Sequence, residues 1–344
     1  RETLQSDPEA TSGRRVTVLI PARNEEQVLP RNLNALSRQR VPMQVWVLDD
    51  GSTDHTRDAA LEAHMNNLEV LDVPALPSGW TGKLWALEQG LNRAASDWVL
   101  LLDADIALGP GMLPALLAVA ERENLDLISI MATPARCGFW DHWLMPVFIY
   151  FFKWLYPFHR ANNPDSRIAA AAGGCVLVRR SVLVAIGGFA ALRDAVIDDC
   201  TLARLVKGKG FRIWIGVSRS VVMLRDHSFR AIWNMVARTA FTQLHYSYFA
   251  LVATLAGLGL VFEAPLLLLL SGPGIVRLVA SGAWILMALS YVPTARYYDE
   301  SPFWGFLLPV AAFLFFWMSV HSAVRYASGT RTRWKDRSYD RTGS

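Results

Sequence analysis

Three long apolar stretches near the end of the chain constrain its fold most strongly. They occupy residues 246–270, 275–292 and 303–324, and Trp and Tyr cluster near their ends. Each approaches the roughly 20 residues that cross the hydrocarbon core of a bilayer, where only helices and closed barrels satisfy every backbone polar group. Aromatic residues at such ends are typical of membrane interfaces. Because 52% of all residues are also hydrophobic, we expect a multi-pass membrane protein with about three transmembrane helices between residues 245 and 325.

The arrangement of these helices in the membrane has two solutions. The tail, residues 326–344, is basic and is therefore expected in the cytoplasm. Three crossings would put this tail on the opposite side of the membrane from the polar residues that precede the stretches, which are also expected in the cytoplasm. Either one stretch is re-entrant, or the first stretch, which Pro265 interrupts, divides differently.

Short β-rich segments alternate with helical patterns over residues 16–240, which we interpret as one domain. The predicted strands are 16–20, 44–49, 68–73, 98–105, 126–131, 174–179 and 212–216. The predicted helices are 25–38, 54–65, 83–95, 111–122, 180–187 and 199–208. Such alternation predicts an α/β fold in which helices flank a mixed, mainly parallel sheet.

Two further segments have their own character. Residues 1–15 are polar before the first strand, and we predict a disordered leader there. Residues 139–158 mix aromatic side chains with Asp141, His142 and Lys153, which favours an interfacial helix lying on the membrane. A buried aromatic core helix is the alternative.

Composition and motif absences narrow the function classes. The formal net charge is only +4, with no long basic block outside the tail, so no nucleic-acid partner is expected. The chain contains neither G-x-G-x-x-G nor G-x-x-x-x-G-K-[ST]. The chain therefore lacks the motifs that would indicate a dinucleotide-dependent enzyme or a P-loop nucleotidase.

Polar motifs follow the first two predicted strands. The first strand ends in PARNEE (21–26) and the second in LDDGSTDHT (48–56). In an open parallel sheet, ligands bind at the carboxyl ends of the strands. We therefore predict a slot for a nucleobase and ribose, although a plain turn with a helix cap would explain the second motif alone. The predicted slot residues are Pro21, Ala22, Arg23, Asn24, Glu25, Asp49 and Asp50.

The D-A-D sequence at 103–105 predicts a divalent metal. Side chains two apart on a strand point the same way, so Asp103 and Asp105 would converge on one ligand. Hard carboxylate oxygens suit Mg²⁺ or Mn²⁺, which would bridge the phosphates of a nucleoside diphosphate. Lys83, near the start of a helix, is predicted to contact phosphate as well. Helix-capping aspartates and a solvated lysine are the alternatives.

Three later features point to an acceptor site. Gly173 and Gly174 let the backbone approach a sugar or acceptor closely, unless they only form a hairpin or bulge. Asp198 and Asp199 open a helix, and we predict a general base there, with helix capping as the alternative. Arg238 is predicted to contact a diphosphate at the membrane surface, with lipid headgroups as the competing partner.

Taken in order, these motifs resemble the family 2 glycosyltransferases with the GT-A fold. The matching segments are PARNEE, DDGSTD, the GK of TGKLWAL, DAD, the segment from the glycine pair to RRSVLVAIGGF, and DDCTL. More narrowly, SGWTGKLWALEQG, VIDDCTLARLVKGKG and TRWKDRSY are similar to the hopanoid-associated membrane glycosyltransferases of bacteria, whose neighbours include ceramide glucosyltransferases.

The resemblance implies inverting transfer from a nucleotide sugar, usually a UDP-sugar. It implies that Asp50 or Asp49 contacts the base, Asp103 the ribose or metal side, and Asp105 the metal. Asp199 would be the catalytic base, and Asp198 stands where the family usually has Glu. The Q-x-x-R-W signature of processive synthases is only partly kept, since the chain reads MVART around Arg238.

The implied base distinguishes between acceptors. A polyprenyl phosphate is already anionic, whereas an alcohol is hardly ionised at neutral pH and needs a base. We therefore expect a lipid hydroxyl acceptor, such as a hopanoid, in the bacterial inner (cytoplasmic) membrane, with the catalytic domain facing the cytoplasm. The alternatives are transfer to polyprenyl phosphate, polysaccharide synthesis, an inactive nucleotide-binding scaffold and a transporter component. A transporter should carry ionisable groups deep in several spans, which this chain largely lacks.

Overall fold

The computed structural model describes residues 2–193 and 195–328, together with the backbone of short strands at Arg333–Trp334 and Arg337–Ser338. The chain divides into two compact units. The described residues of Arg1–Ala135 and Tyr156–Arg225 form the first unit with the two short strands. Those of Arg136–Leu155 and Asp226–Thr332 form the second. Most of the predicted basic tail (326–344) lies outside the described residues.

The first unit follows the predicted alternation of strands and helices. Its elements up to Ala135 are β1 (Val16–Ala22), α1 (Leu29–Ser37), β2 (Met43–Asp49), α2 (Thr56–Leu61), β3 (Leu68–Asp72), α3 (Gly82–Arg93), β4 (Trp98–Leu102), β5 (Ile106–Leu108), α4 (Met112–Arg122) and β6 (Leu127–Thr133). The chain then forms α5 (Phe139–Leu155) in the second unit. The first unit resumes with α6 (Phe158–Ala161), β7 (Cys175–Arg179), α7 (Arg180–Ala185), a 3₁₀ turn (Phe189–Leu192), α8 (Asp198–Gly208) and β8 (Ile213–Met223).

The strands form one eight-stranded sheet in the order β3-β2-β1-β4-β7-β6-β8-β5. Parallel pairing joins β1 to β2 and β4, β2 to β3, and β6 to β8. In contrast, β7 runs antiparallel to β4 and β6, and β5 runs antiparallel to β8. The predicted mixed, mainly parallel sheet is confirmed.

Helices cover both faces of this sheet, because successive side chains of a strand point to opposite faces. On β1, Val18 is buried in a cluster that includes Leu33 of α1. Its neighbour Leu19 is buried in a second cluster with Leu87 of α3. The central strands are apolar on both faces for this reason, and the polar motifs are confined to their ends.

The segment before β1, for which the sequence predicts a disordered leader, pairs with β8 in the structure. Leu4 N–H donates to the carbonyl of Val217 at 3.0 Å, and Val217 N–H donates to the carbonyl of Glu2 at 2.8 Å. These bonds occupy backbone groups of β8, which a composition-based prediction does not anticipate.

The second unit is helical. Besides α5 it contains α9 (Phe229–Gln243), α10 (Tyr248–Leu258), a π-helical turn (Gly259–Glu263), α11 (Ala264–Ser271), α12 (Gly274–Tyr297), a 3₁₀ turn (Pro302–Leu307) and α13 (Leu308–Ala327). Among the described residues, three helical segments are long and apolar enough to cross a membrane, namely Tyr248–Ser271, Gly274–Tyr297 and Pro302–Ala327. The prediction of three such segments is confirmed.

Hydrogen bonds tie the helices of the second unit together. The fully buried carboxylate of Asp141 on α5 accepts a bond from the backbone N–H of His227 at 3.1 Å, just before α9. Trp233 of α9 donates its indole N–H to Nδ1 of His321 on α13 at 2.7 Å. A buried carboxylate is costly without partners, so the first contact fixes the start of α9 against α5.

Candidate functional site

The carboxyl ends of β1 and β2 lie side by side, as the PARNEE and DDGS motifs require. Ala22 is in register with Asp49, and the backbone N–H of Asp50 donates to the carbonyl of Ala22 at 3.0 Å. Arg23 reaches across and donates from Nη1 to the carbonyls of Asp50 and Gly51. The predicted slot residues are therefore brought together at one edge of the sheet.

Internal hydrogen bonds brace the two loops. Asn24 adopts a left-handed φ of 54°, and its side-chain oxygen accepts from the backbone N–H of Thr53 at 2.8 Å. Oδ1 of Asp49 accepts from both the N–H and the hydroxyl of Ser52, at 2.9 and 2.6 Å. Asp49 thus closes the turn at Gly51, where φ is 67°. Asp49 fixes the loop, and Pro21 is a buried strand residue.

The D-A-D segment forms a turn and not the end of a strand. The prediction that strand alternation points Asp103 and Asp105 the same way is therefore wrong. Strand β4 ends at Leu102, and the N–H of Ile106 donates to the carbonyl of Asp103 at 3.0 Å. The two carboxylates are therefore not aligned by strand alternation. Asn32 of α1, fully buried, donates its amide to the carbonyls of Asp103 (3.1 Å) and Ile106 (2.7 Å). The hydrogen bonds from Asn32 hold the turn, and the turn determines the positions of the two aspartates.

Lys83 lies between two of the predicted carboxylates. Its Nζ is 2.7 Å from Oδ1 of Asp103 and 3.6 Å from Oδ2 of Asp198. Burial would lower the pKa of Lys83, but the neighbouring carboxylates of Asp103, Asp198 and Asp199 raise it well above its usual range. For the acid Asp103, burial instead raises the pKa, and the charge of Lys83 opposes that shift. Lys83 is therefore a permanent cation that joins the D-A-D turn to the start of α8.

Arg225 forms a second cationic bridge. This residue follows β8, and its guanidinium pairs with Oε2 of Glu25. Its Nε also lies 3.7 Å from Oδ2 of Asp105. Each of the two cations therefore lies between two carboxylates. The order is Asp198, Lys83, Asp103, then across the turn Asp105, Arg225 and Glu25.

The glycine pair lies beside the second acid of α8. Oδ2 of Asp199 accepts the backbone N–H of Gly173 at 2.8 Å, and its Oδ1 accepts the N–H of Cys200 at 2.7 Å. The carbonyl of Gly174, which has no side chain, accepts a hydrogen bond from the N–H of Asp103 at 3.0 Å. Burial, and next the charge of Asp198, raise the pKa of Asp199 to about 6, against the lowering effect of the two N–H groups and Lys83. An ionised carboxylate with this pKa suits a base at neutral pH.

The carboxylates of the D-A-D turn fit a divalent cation whose coordination is completed by a bound phosphate ligand and water. Within the described residues, no group of three or more His, Cys, Asp or Glu side chains is arranged to hold a metal on its own. The carboxylate of Asp105 is about one-third exposed (32%), and its ion pair with Arg225 is long, at 3.7 Å. Mg²⁺ commonly binds through one or two carboxylates plus substrate phosphates and water. Asp105 can serve that role, with Asp103 next to it engaged by Lys83.

One predicted residue belongs to the other unit. Arg238 lies on the exposed side of α9 in the second unit. Two residues of the cluster were absent from the predicted site. Asn32 had one available signal, a polar residue on the apolar face of α1 among Leu29, Leu33 and Leu36. Arg225 was visible only as one of several cations before the first apolar stretch.

A family model matches the first part of the chain. Residues 17–187 match the model of the family described as Glycosyl transferase family 2. Two curated relatives are 4,4'-diaponeurosporenoate glycosyltransferases of Staphylococcus aureus. That of strain USA300 is 36% identical over 91 residues, and that of strain MRSA252 is 39% identical over 92. Each match covers 26% of this chain and 24% of the relative. The chain therefore matches about a quarter of the length of these relatives.

A solved structure extends the likeness to most of the chain. It is a mannosyltransferase from Pyrobaculum calidifontis in complex with GDP-Man and Mn²⁺. The TM-score is 0.60 at 20% identity, over 95% of this chain and 90% of that one. At this identity the likeness establishes the fold. The GT-A fold expected from the motifs is confirmed, together with apolar helices after it.

Proposed function

Since residues 17–187 form a glycosyltransferase domain of family 2, we propose that this chain transfers a sugar from a nucleotide-sugar donor to a hydroxyl group of a membrane lipid. One observation carries the proposal. Asp199, whose pKa is raised to about 6, lies in the same charged cluster as Lys83 and the D-A-D turn. A base thus lies near residues suited to bind a diphosphate.

The donor would occupy the edge of the sheet. The nucleoside would fit the slot lined by Arg23, Asn24 and Asp50, and the diphosphate would lie toward Lys83. Lys83 is fixed by Asp103 and Asp198, so it is preorganised as a phosphate contact. The motif resemblance favours a UDP-sugar. The Pyrobaculum mannosyltransferase holds GDP-Man, so both bases are to be tested.

A divalent cation, Mg²⁺ or Mn²⁺, would be held by Asp105, with Asp103 beside it. When bound, it would neutralise charge on the departing nucleoside diphosphate. The chain's own cations would add to this effect from the other side of the turn. Hard carboxylate oxygens and a partly exposed position favour these ions over softer ones.

Asp199 would act on the acceptor. Its carboxylate would take the proton of the acceptor hydroxyl as the oxygen attacks the anomeric carbon and the nucleoside diphosphate leaves with inversion. The N–H groups of Gly173 and Cys200 hold the carboxylate in place during this step. Anionic acceptors, such as a polyprenyl phosphate or a carboxylate, would not need the base. The Asp199 environment therefore favours an alcohol, for which a hopanoid hydroxyl is our specific candidate.

The helices of the second unit support a membrane location. Within the part of the chain that the structure describes, three helical segments are long and apolar enough to cross a bilayer. Helix α5 is different, because β4 before it and β7 after it pair in one sheet. Both ends of α5 must therefore lie on the same side of a membrane, and α5 would lie along its surface rather than cross it. We place the enzyme in the bacterial inner membrane, with the first unit in the cytoplasm.

The test measures glycolipid formation by the full chain in detergent. UDP- and GDP-sugars would be offered with a bacterial lipid extract and Mn²⁺, and products would be identified by mass spectrometry. We expect a glycolipid that is lost in Asp105→Ala and Asp199→Asn but kept in Asp165→Asn, an exposed acidic control.

Other outcomes separate the remaining functions. A product that persists in Asp199→Asn would indicate an anionic acceptor. Donor binding without any product, from any extract, would support the nucleotide-binding scaffold instead.

A further inference from the structure

Arg225 is held beside the D-A-D turn by the backbone. Met223 at the end of β8 is in register with Ile106 of β5. The N–H of Leu224 then donates to the carbonyl of Asp105 at 2.7 Å. The position of Arg225 relative to Asp105 is therefore set by strand pairing, and only its side chain is free to change partners.

The two ends of the guanidinium are held unequally. Toward Glu25 the pairing is close, and the Glu25 side chain is only 9% exposed. Toward Asp105 the distance from Nε to Oδ2 is 3.7 Å, and Arg225 itself is 43% exposed. A close pair with a buried acid persists better than a long, solvated one. Glu25 is therefore the anchor, and the contact with Asp105 is exchangeable.

We infer that Arg225 occupies the carboxylate of Asp105 until a divalent cation binds there, and that its guanidinium, still anchored by Glu25, then binds the diphosphate of the donor. The inference rests on the proposed function, since it assumes a nucleoside diphosphate. A guanidinium and a divalent cation at one carboxylate repel each other, so the cation displaces the arginine from Asp105. The planar, five-donor guanidinium suits phosphate oxygens.

This changes the role of Glu25. The sequence predicts Glu25 as a direct donor contact, but the Glu25 side chain faces Arg225. Glu25 is then a positioning residue that acts through the guanidinium. Its replacement should matter only while Arg225 is present.

The inference gives effects of opposite sign for the two ligands. In Arg225→Gln, the cation no longer competes with a positive charge, so Mn²⁺ alone should bind about threefold tighter. UDP or GDP in the presence of saturating Mn²⁺ should bind about tenfold more weakly, because a charge-assisted contact is lost. A variant that merely loosened the site would weaken both ligands.

The experiment uses the full chain in detergent. Mn²⁺ binding is followed by electron paramagnetic resonance, and UDP and GDP binding by calorimetry with saturating Mn²⁺. Arg219→Gln, which removes an exposed arginine from the same strand, is the charge control and should leave both affinities within twofold of the parent. Arg225→Lys keeps the charge and should leave Mn²⁺ affinity near the parent value while weakening the diphosphate. It also replaces Arg225→Gln if that variant does not fold.

Glu25→Gln completes the design. It should weaken the diphosphate alone, and it should add nothing further in the double variant with Arg225→Gln. Unchanged diphosphate affinity in Arg225→Gln, or additive effects of the two changes, would overturn the inference while leaving the proposed function intact. Failure of the parent to bind either nucleotide would instead overturn the proposed function, and the inference with it.

Discussion

The backbone N–H of Gly173 donates a 2.8 Å hydrogen bond to the side-chain carboxylate of Asp199. The contact depends on the absence of a side chain, because a Cβ built at Gly173 would lie 3.2 Å from both Cβ and Oδ2 of Asp199. That separation is tighter than ordinary contact, so the carboxylate would have to shift by a few tenths of an ångström. The glycine therefore places the proposed base.

Gly173→Ala should reduce kcat by about tenfold, because a small displacement of a base is costly for proton transfer. The free energy of unfolding should change by less than about 1 kcal/mol, since the crowding is limited to one side chain. Steady-state kinetics and thermal unfolding test this. The control is Gly208→Ala, where an added Cβ meets no atom within 4 Å. Equal kcat in the two variants would contradict the role given to Gly173.

The pH dependence of kcat/KM should show an acidic limb. Burial and Asp198 raise the pKa of Asp199 to about 6. Activity requires the deprotonated form, so it should be full above this pKa and fall about tenfold per pH unit below it. A glycolipid assay between pH 4.5 and 8 would locate the inflection. An inflection near the ordinary value of an exposed carboxyl would show that a different group is titrating.

How far the site could be predicted depends on sequence separation. Strand–helix alternation and the acidic strand ends were readable, since each is a local pattern. The contact between Arg225 and Glu25 joins residues 200 positions apart, so no local pattern contains it. The end of β4 at Leu102 was also missed, because no glycine or proline separates the strand from the D-A-D turn that follows it.

The same distinction applies to the membrane region. The three apolar segments are evident from composition, and the described part of the chain contains three helical segments of matching character. The placement of α5 is different, because it depends on β4 pairing with β7 across the inserted helix. Composition alone allowed either a surface helix or a core helix, and the pairing of the strands on either side of α5 is the observation that supports the surface placement proposed above.

Asn32→Ala should destabilise the fold and weaken the donor site together. The fully buried amide of Asn32 is a donor to the carbonyls of Asp103 and Ile106. Its removal leaves two buried acceptors without that donor and should lower the free energy of unfolding by about 2 kcal/mol. Binding of Mn²⁺ should also weaken, because the turn carrying Asp105 is no longer held.

Chemical denaturation and Mn²⁺ titration of this variant provide the test. Asn34→Ala, an exposed change on the same helix, should alter neither quantity. Destabilisation without any loss of Mn²⁺ binding would separate the turn from the metal site.

The two charged neighbours of Asp199 should move its pKa in opposite directions. Asp198 raises the pKa of Asp199, whereas Lys83 lowers it. Asp198→Asn should therefore shift the acidic limb of the kcat/KM profile below pH 6, and Lys83→Gln should shift it above pH 6. Both shifts follow because removing a nearby like charge stabilises the ionised carboxylate, whereas removing a nearby opposite charge destabilises it. Lys83→Gln should also lower the plateau, because the proposed phosphate contact is lost, but the position of the inflection is independent of that plateau.

Asp165→Asn, an exposed change in the same unit, should leave the inflection in place. If Asp198→Asn and Lys83→Gln moved the inflection in the same direction, a residue other than Asp199 would be the base.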